Sequence, residues 1–145
     1  MEKEIRICAP EGYVVDNEKS TRTNIVFKLV NFYNWRDIKS YDDACRVLPV
    51  PNDYLNINKK HIVAQLKLEH IIYVINQDWK PDYTNNNQKK WYPYFNADSC
   101  FGFFNAGYYY DALGANTGSR FCLESQEKAE YCGKTFTKLY EEYLM

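Results

Sequence analysis

The groups in this sequence able to do chemistry are two histidines, five cysteines and a band of aromatic and basic residues. His61 and His70 fall within one run that reads as a helix. Their separation of about two and a half turns points the imidazoles to opposite sides, so they cannot share an ion. Cys8, Cys45, Cys100, Cys122 and Cys132 show no C-x-x-C spacing, which argues against a zinc ribbon or a thioredoxin-type centre. An odd cysteine count without a secretion signal favours free thiols. Cys45 and Cys132 fall on apolar faces of predicted helices, where cysteine acts as a small hydrophobe. No nucleophile-elbow sequence surrounds any serine. The neighbouring carboxylates Asp42/Asp43 and Glu141/Glu142 diverge by about 100° on a helix, and read as an N-terminal charge bias and a solvated face. The expectation is therefore no catalytic residue, no metal, no cofactor and no enzyme activity.

Two groupings suit binding instead. Gly114-Ala-Asn-Thr-Gly-Ser-Arg120 resembles a glycine-rich phosphate loop but lacks the Gly-Lys-Ser/Thr end, and Phe121-Cys122-Leu123 after it is a strand pattern. It reads as a hairpin turn, or as a nest in which turn amides and Arg120 hold an anion. The second grouping is Trp79, Tyr83, Lys89, Lys90, Trp91, Tyr92, Tyr94 and Phe95. Rings beside cations can stack bases and meet phosphates. Alternate rings of 91–95 would serve equally well to fill a core. A net charge of −1, with Asp78 and Asp82 close by, disfavours nucleic acid. A nucleotide-like ligand or a protein partner fits better, since both use Trp and Tyr at contact hot spots. The candidate ligand- or partner-binding residues are Trp79, Asp82, Tyr83, Lys90, Trp91, Tyr92, Ser119 and Arg120.

The elements that must position these residues follow from the hydrophobic pattern. The chain has 145 residues, a common size for one domain, and is expected to form a single domain over 1–145. Its apolar fraction is unusually ring-rich: aromatics make up 17% of the chain, and Tyr dominates. Tyr hydroxyls need water or a partner, so many rings should line the core's edge or a contact surface. Ile5–Cys8, Tyr13–Val15 and Asn24–Val30 read as strands, the last two flanking the polar run 16–21 as an N-terminal hairpin. Ser40-Tyr41-Asp42-Asp43 has capping-box form and opens a short helix that Pro49 and Pro51 end. Residues 59–77 form the clearest helix. Ile62, Val63, Leu66, Tyr73 and Val74 occupy one side of it, with Leu68, Ile71, Ile72 and Ile75 opposite. A helix apolar on two sides is buried between two partners, or between its own domain and a second chain.

Asp, Asn and Pro break the chain over 78–90. Trp91–Phe95 reads as a strand that Pro93 confines to an edge or bulge. Phe101–Phe104, Tyr108–Tyr110 and Ser119–Leu123 are further strand candidates. Ser125 caps a last helix striped by Ala129, Cys132, Phe136, Leu139, Tyr140 and Tyr143, with Gly133 a candidate for close backbone approach. The order ββ-α-α-βββ-α implies an α+β fold. Its antiparallel sheet would have about 4–6 strands, with a central buried helix and a C-terminal amphipathic helix packed on one face. No stretch is apolar enough for a membrane span and no signal-peptide h-region opens the chain, so a cytoplasmic protein without membrane association is expected.

Trp79-Lys80-Pro81-Asp82-Tyr83, Lys89-Lys90-Trp91-Tyr92-Pro93-Tyr94-Phe95 and Gly118-Ser119-Arg120-Phe121-Cys122-Leu123 carry a family resemblance. Pro10-Glu11-Gly12-Tyr13 at the start and the helix through Tyr131, Phe136 and Tyr140 extend it. Together they resemble small, functionally unassigned proteins of phages and mobile elements of intestinal anaerobic bacteria. The resemblance covers most of the chain except residues 31–57 and implies a phage-type accessory protein in the host cytoplasm. It transfers no site residues. The expected function is binding, as an antagonist of a host defence that sequesters a small nucleotide-like ligand or covers a host protein. The alternatives are a virion structural component and a single-stranded nucleic-acid-binding module. A homo-oligomer through helix 59–77 or the C-terminal helix is a further expectation.

Overall fold

The computed structural model describes residues 8–10, 13–29, 33–98, 100–109 and 118–145. The chain divides into two compact units, Met1–Asn34 and Trp35–Met145. In the first, β1 (Tyr13–Val15) and β2 (Phe27–Leu29) pair antiparallel, Tyr13 opposite Leu29 and Val15 opposite Phe27. The polar run between them supplies its own closure. The buried Asp16 carboxylate accepts the N–H groups of Glu18 at 3.0 Å and Lys19 at 3.3 Å. The Ser20 hydroxyl accepts the Val26 N–H at 3.0 Å. Side chains that bond nearby backbone in this way fold a polar segment into a turn, and the N-terminal hairpin forms as the sequence implies. Residues 5–7, read as a strand, lie outside the described residues.

The second unit is built round one helix. Here α1 (Tyr41–Val47) begins at Ser40, whose hydroxyl accepts the Asp43 N–H at 3.1 Å and donates to its carboxylate at 2.8 Å. Helix α2 (Lys60–Asn76) buries Leu68, Ile71 and Ile75 completely, with Ala64, Ile72 and Val74 nearly so. It packs against α1 and the 3₁₀ turn Trp35–Asp37 and against the C-terminal helices, which explains a helix apolar on two sides. His61 is exposed and His70 buried, as their angular separation requires.

Strands β3 (Lys90–Asn96) and β4 (Gly102–Tyr109) form an antiparallel ladder with Trp91 opposite Tyr108 and Pro93 opposite Ala106. A bulge follows Tyr94: Tyr94 faces Asn105 and Phe95 faces Phe103, leaving Phe104 as the extra residue, 69% exposed. What the sequence suggests as two strands, one at 101–104 and one from Tyr108, is a single strand because small residues, Ala106 and Gly107, continue it. The described residues thus make an α+β protein with two separate two-stranded ladders, and a sheet of 4–6 strands is not confirmed.

Ser119–Leu123 is not a strand. Ser119–Phe121 is a 3₁₀ turn, and only Leu123 reaches a strand, exchanging backbone hydrogen bonds of 3.0 and 2.8 Å with Trp91. Phe121, Cys122 and Leu123 are all buried, a continuous run where a half-buried strand would alternate. In place of a neighbouring strand, the buried Asn76 side chain donates to the Cys122 carbonyl at 2.9 Å and accepts the Glu124 N–H at 3.1 Å.

The last helix is also two. Helix α3 (Gln126–Thr135), capped by the Ser125 hydroxyl, ends at Phe136, and α4 (Thr137–Leu144) starts there. The Thr137 hydroxyl donates to the Gly133 carbonyl at 2.6 Å and competes with the helical ladder at that point. Helix α3 lies on β3 and β4, and it holds the Trp35–Asp37 turn through Tyr131, whose hydroxyl reaches the carbonyls of Arg36 (2.7 Å) and Ile38 (3.0 Å). Arg36 also pairs with Glu127 and lies over the Trp35 ring.

Candidate functional site

The end of α2 turns sharply. Gln77 takes φ 59° and ψ −121°, and the Trp79 N–H closes the turn on the Asn76 carbonyl at 3.0 Å. That is the backbone of a type II′ turn at its second residue, a position that favours glycine. The turn aims Trp79, Lys80 and Pro81 back along the helix they have just left. There, with Arg120 carried on the 3₁₀ turn, they line an open cavity of about 420 Å³. Leu48, Tyr54, Glu69, His70, Ile72, Tyr73, Asn76 and Cys122 complete its wall. The volume falls within the range of small-molecule sites.

Of the eight residues singled out from the sequence, Trp79 and Arg120 line this cavity. Four others, Ser119 and Lys90 buried and Tyr83 and Tyr92 half-buried, form a support beside it. The Tyr83 hydroxyl donates to the Ser119 carbonyl at 2.8 Å and lies 3.8 Å from Sγ of Cys122. Tyr92 also bonds Ser119 and Cys122. Burial and the nearby thiol push the Tyr83 hydroxyl up to about 12, and the same causes raise that of Tyr92. Burial raises Cys122 as well. These groups are held neutral and act as hydrogen-bonding struts. Lys90 is only 4% exposed, and its ammonium is spent on the carbonyls of Asp82 (2.6 Å) and Asn85 (3.3 Å), with the Tyr83 ring 5.5 Å away. It fastens the 82–85 loop and does not reach the cavity.

The remaining two are elsewhere. Asp82 is exposed and turned onto Thr84, accepting its N–H at 2.9 Å and its hydroxyl at 2.6 Å; the hydroxyl bond is the first reason its carboxyl sits below the usual range. Trp91 lies against Tyr108 at 4.6 Å, with the Lys89 ammonium 4.6 Å above that second ring. Tyr92 lines a separate cavity of about 180 Å³ with Phe95, Phe121, Tyr140 and Tyr143. The residues of the glycine-rich segment before Gly118 lie outside the described residues.

Sequence reasoning missed the helical wall. Glu69, Tyr73 and Asn76 recur at four- and three-residue steps, a polar-edged stripe that marks one side of α2 as facing something other than core. His70 is 7% exposed, its Nε2 has no hydrogen-bond partner, and its ring stands between Tyr41 (5.7 Å) and Tyr54 (6.5 Å). Burial lowers its pKa below the ordinary imidazole value, partly offset by the carbonyls of Leu48 and Ala44. It is a neutral group at pH 7.

The cavity therefore offers an indole, two cationic side chains at Lys80 and Arg120, one carboxylate and a neutral imidazole. Among the described residues, no three His, Cys, Asp or Glu side chains gather to hold a metal ion. All five thiols are free. No helix among the described residues is long and apolar enough to cross a membrane. No protein-family model, no curated protein and no solved structure matches the chain.

Proposed function

We propose that this protein works by binding, and that the cavity between the end of α2 and the Ser119–Phe121 turn takes a small planar anion of the nucleotide type. One observation carries the reading: Arg120 is brought from 40 residues away onto the same cavity as Trp79 and Lys80, and the cavity has a suitable volume. An indole stacks a base-like ring, while the guanidinium and the ammonium meet a phosphate. The support beside them fits a preorganised site, because Tyr83 and Tyr92 hold the turn that carries Arg120 and Lys90 fastens the loop that follows Trp79, Lys80 and Pro81. The resemblance to phage and mobile-element proteins adds the context of a cytoplasmic accessory protein that sequesters a host signalling ligand and so antagonises a defence.

The test is isothermal calorimetry with nucleoside monophosphates and cyclic nucleotides, alongside mass spectrometry of small molecules extracted from the purified protein. Arg120→Ala and Trp79→Ala should each weaken binding by about tenfold, the size expected of a contact hot spot. No heat with any nucleotide and no co-purified anion would remove the reading.

A further inference from the structure

We propose that the cavity takes up a proton together with its anion, and that His70 is the group that gains it. The inference rests on the binding reading above and adds how that site is regulated. His70 lines the same cavity as Lys80 and Arg120, and it is the one buried ionisable side chain there apart from the Cys122 thiol. Its Nε2 is buried without a partner, so the imidazole has hydrogen-bonding capacity that the fold leaves unused.

The groups round it set the direction. From α1 come the Tyr41 hydroxyl and the Cys45 thiol, and from the 49–58 connection the Tyr54 ring. Burial raises both tyrosines, so they stay protonated and neutral through the range in question. On α2 itself Glu69 is adjacent, and Lys67 lies 5.5 Å over the Tyr41 ring. Lys80 and Arg120 line the same cavity. Without a ligand, burial gives the imidazolium little support. An anion between Lys80, Arg120 and His70 reverses the balance, because an opposite charge within a few ångströms favours the charged imidazole. The anion raises the affinity of His70 for a proton, and by linkage the proton raises the affinity for the anion. Binding is then tighter in mildly acidic solution.

The experiment uses sulfate and 3′,5′-cyclic AMP as probes, since neither changes charge between roughly pH 5 and 8, where imidazole titrates. The two histidines give separate imidazole C–H signals, with exposed His61 as the internal control on the same helix. The expected result is that a probe moves the His70 titration midpoint up by about half a unit and leaves that of His61 where it was. Calorimetry should show affinity about threefold higher at pH 5.5 than at pH 7.5. His70→Gln should bind with no such pH dependence, and if that variant does not fold, the wild-type His70 signal decides. Binding that is equally tight at both pH values, with the His70 midpoint unmoved, overturns the inference and leaves the cavity a binding site. Absence of binding at either pH overturns both.

Discussion

A β-carbon built on Gly133 would lie 2.2 Å from Cδ2 of Phe103 and 2.9 Å from Cβ of Pro93, so α3 sits directly on the β3–β4 ladder with no room for a side chain. The glycine weakens the helix by about 1 kcal/mol relative to alanine, and close packing is what it allows in return. Gly133→Ala should therefore destabilise the protein, by about 1–3 kcal/mol of overpacking, although alanine is the better helix former. Urea unfolding of Gly133→Ala, Phe103→Leu and the pair provides the check. The double variant should recover part of the loss, and a stabilising Gly133→Ala would show that the two elements are not in contact.

Gln77 occupies a backbone conformation that costs a side-chain-bearing residue on the order of 1–3 kcal/mol. Gln77→Gly removes that strain and adds about 0.5–1 kcal/mol of backbone entropy cost, so the net change should be stabilising. The same substitution loosens the turn that aims Trp79. Thermal unfolding should shift upward while nucleotide affinity falls, a split that a simple packing change would not produce.

Lys90 serves the fold, and its replacement should be read in stability. Lys90→Met keeps the buried stem but leaves the carbonyls of Asp82 and Asn85 with only the backbone N–H groups of Asn85 and Gln88 as donors; losing bonds from a charged donor costs about 1.5–3 kcal/mol. Amide hydrogen exchange should quicken across residues 82–88 first. Unchanged exchange there, with binding lost, would instead place the ammonium at the ligand.

Acid should unfold the protein in two stages with different causes. His70 has a folded-state pKa below its unfolded value of about 6.5, so below that pH the unfolded chain binds the extra proton and stability falls. Asp43, Asp82 and Glu130 are also depressed, by hydrogen bonds from Ser40, Thr84 and Lys134 respectively. Their contributions are present above the unfolded carboxylate values and are lost only as pH falls through about 4 and below. Denaturant midpoints at pH 7.5, 5.5 and 3.5 separate the two. His70→Gln should flatten the first step and leave the second intact.

Local chemistry alone determined much of this protein. The Ser40 and Ser125 caps, the helix over 60–76, the N-terminal hairpin with its polar turn, and Pro93 beside a bulge are each written in neighbouring residues, because caps, periodicity and turn preferences act within a few positions. The close approach signalled by Gly133 belongs to the same class.

Tertiary structure decided what that chemistry is used for. Phe121-Cys122-Leu123 has strand propensity, yet a side chain 46 residues earlier, Asn76, takes the Cys122 carbonyl and turns the segment into a wall. Lys90 and Tyr83 look like ligand-binding groups in sequence, and hydrogen bonds to backbone carbonyls of Asp82, Asn85 and Ser119 make them struts. The meeting of Trp79 with Arg120, and of both with His70, depends on the direction in which α2 ends and on where the Ser119–Phe121 turn lies. Pattern rules describe one element at a time, and a cavity is a relation among several, set by how their apolar sides pack.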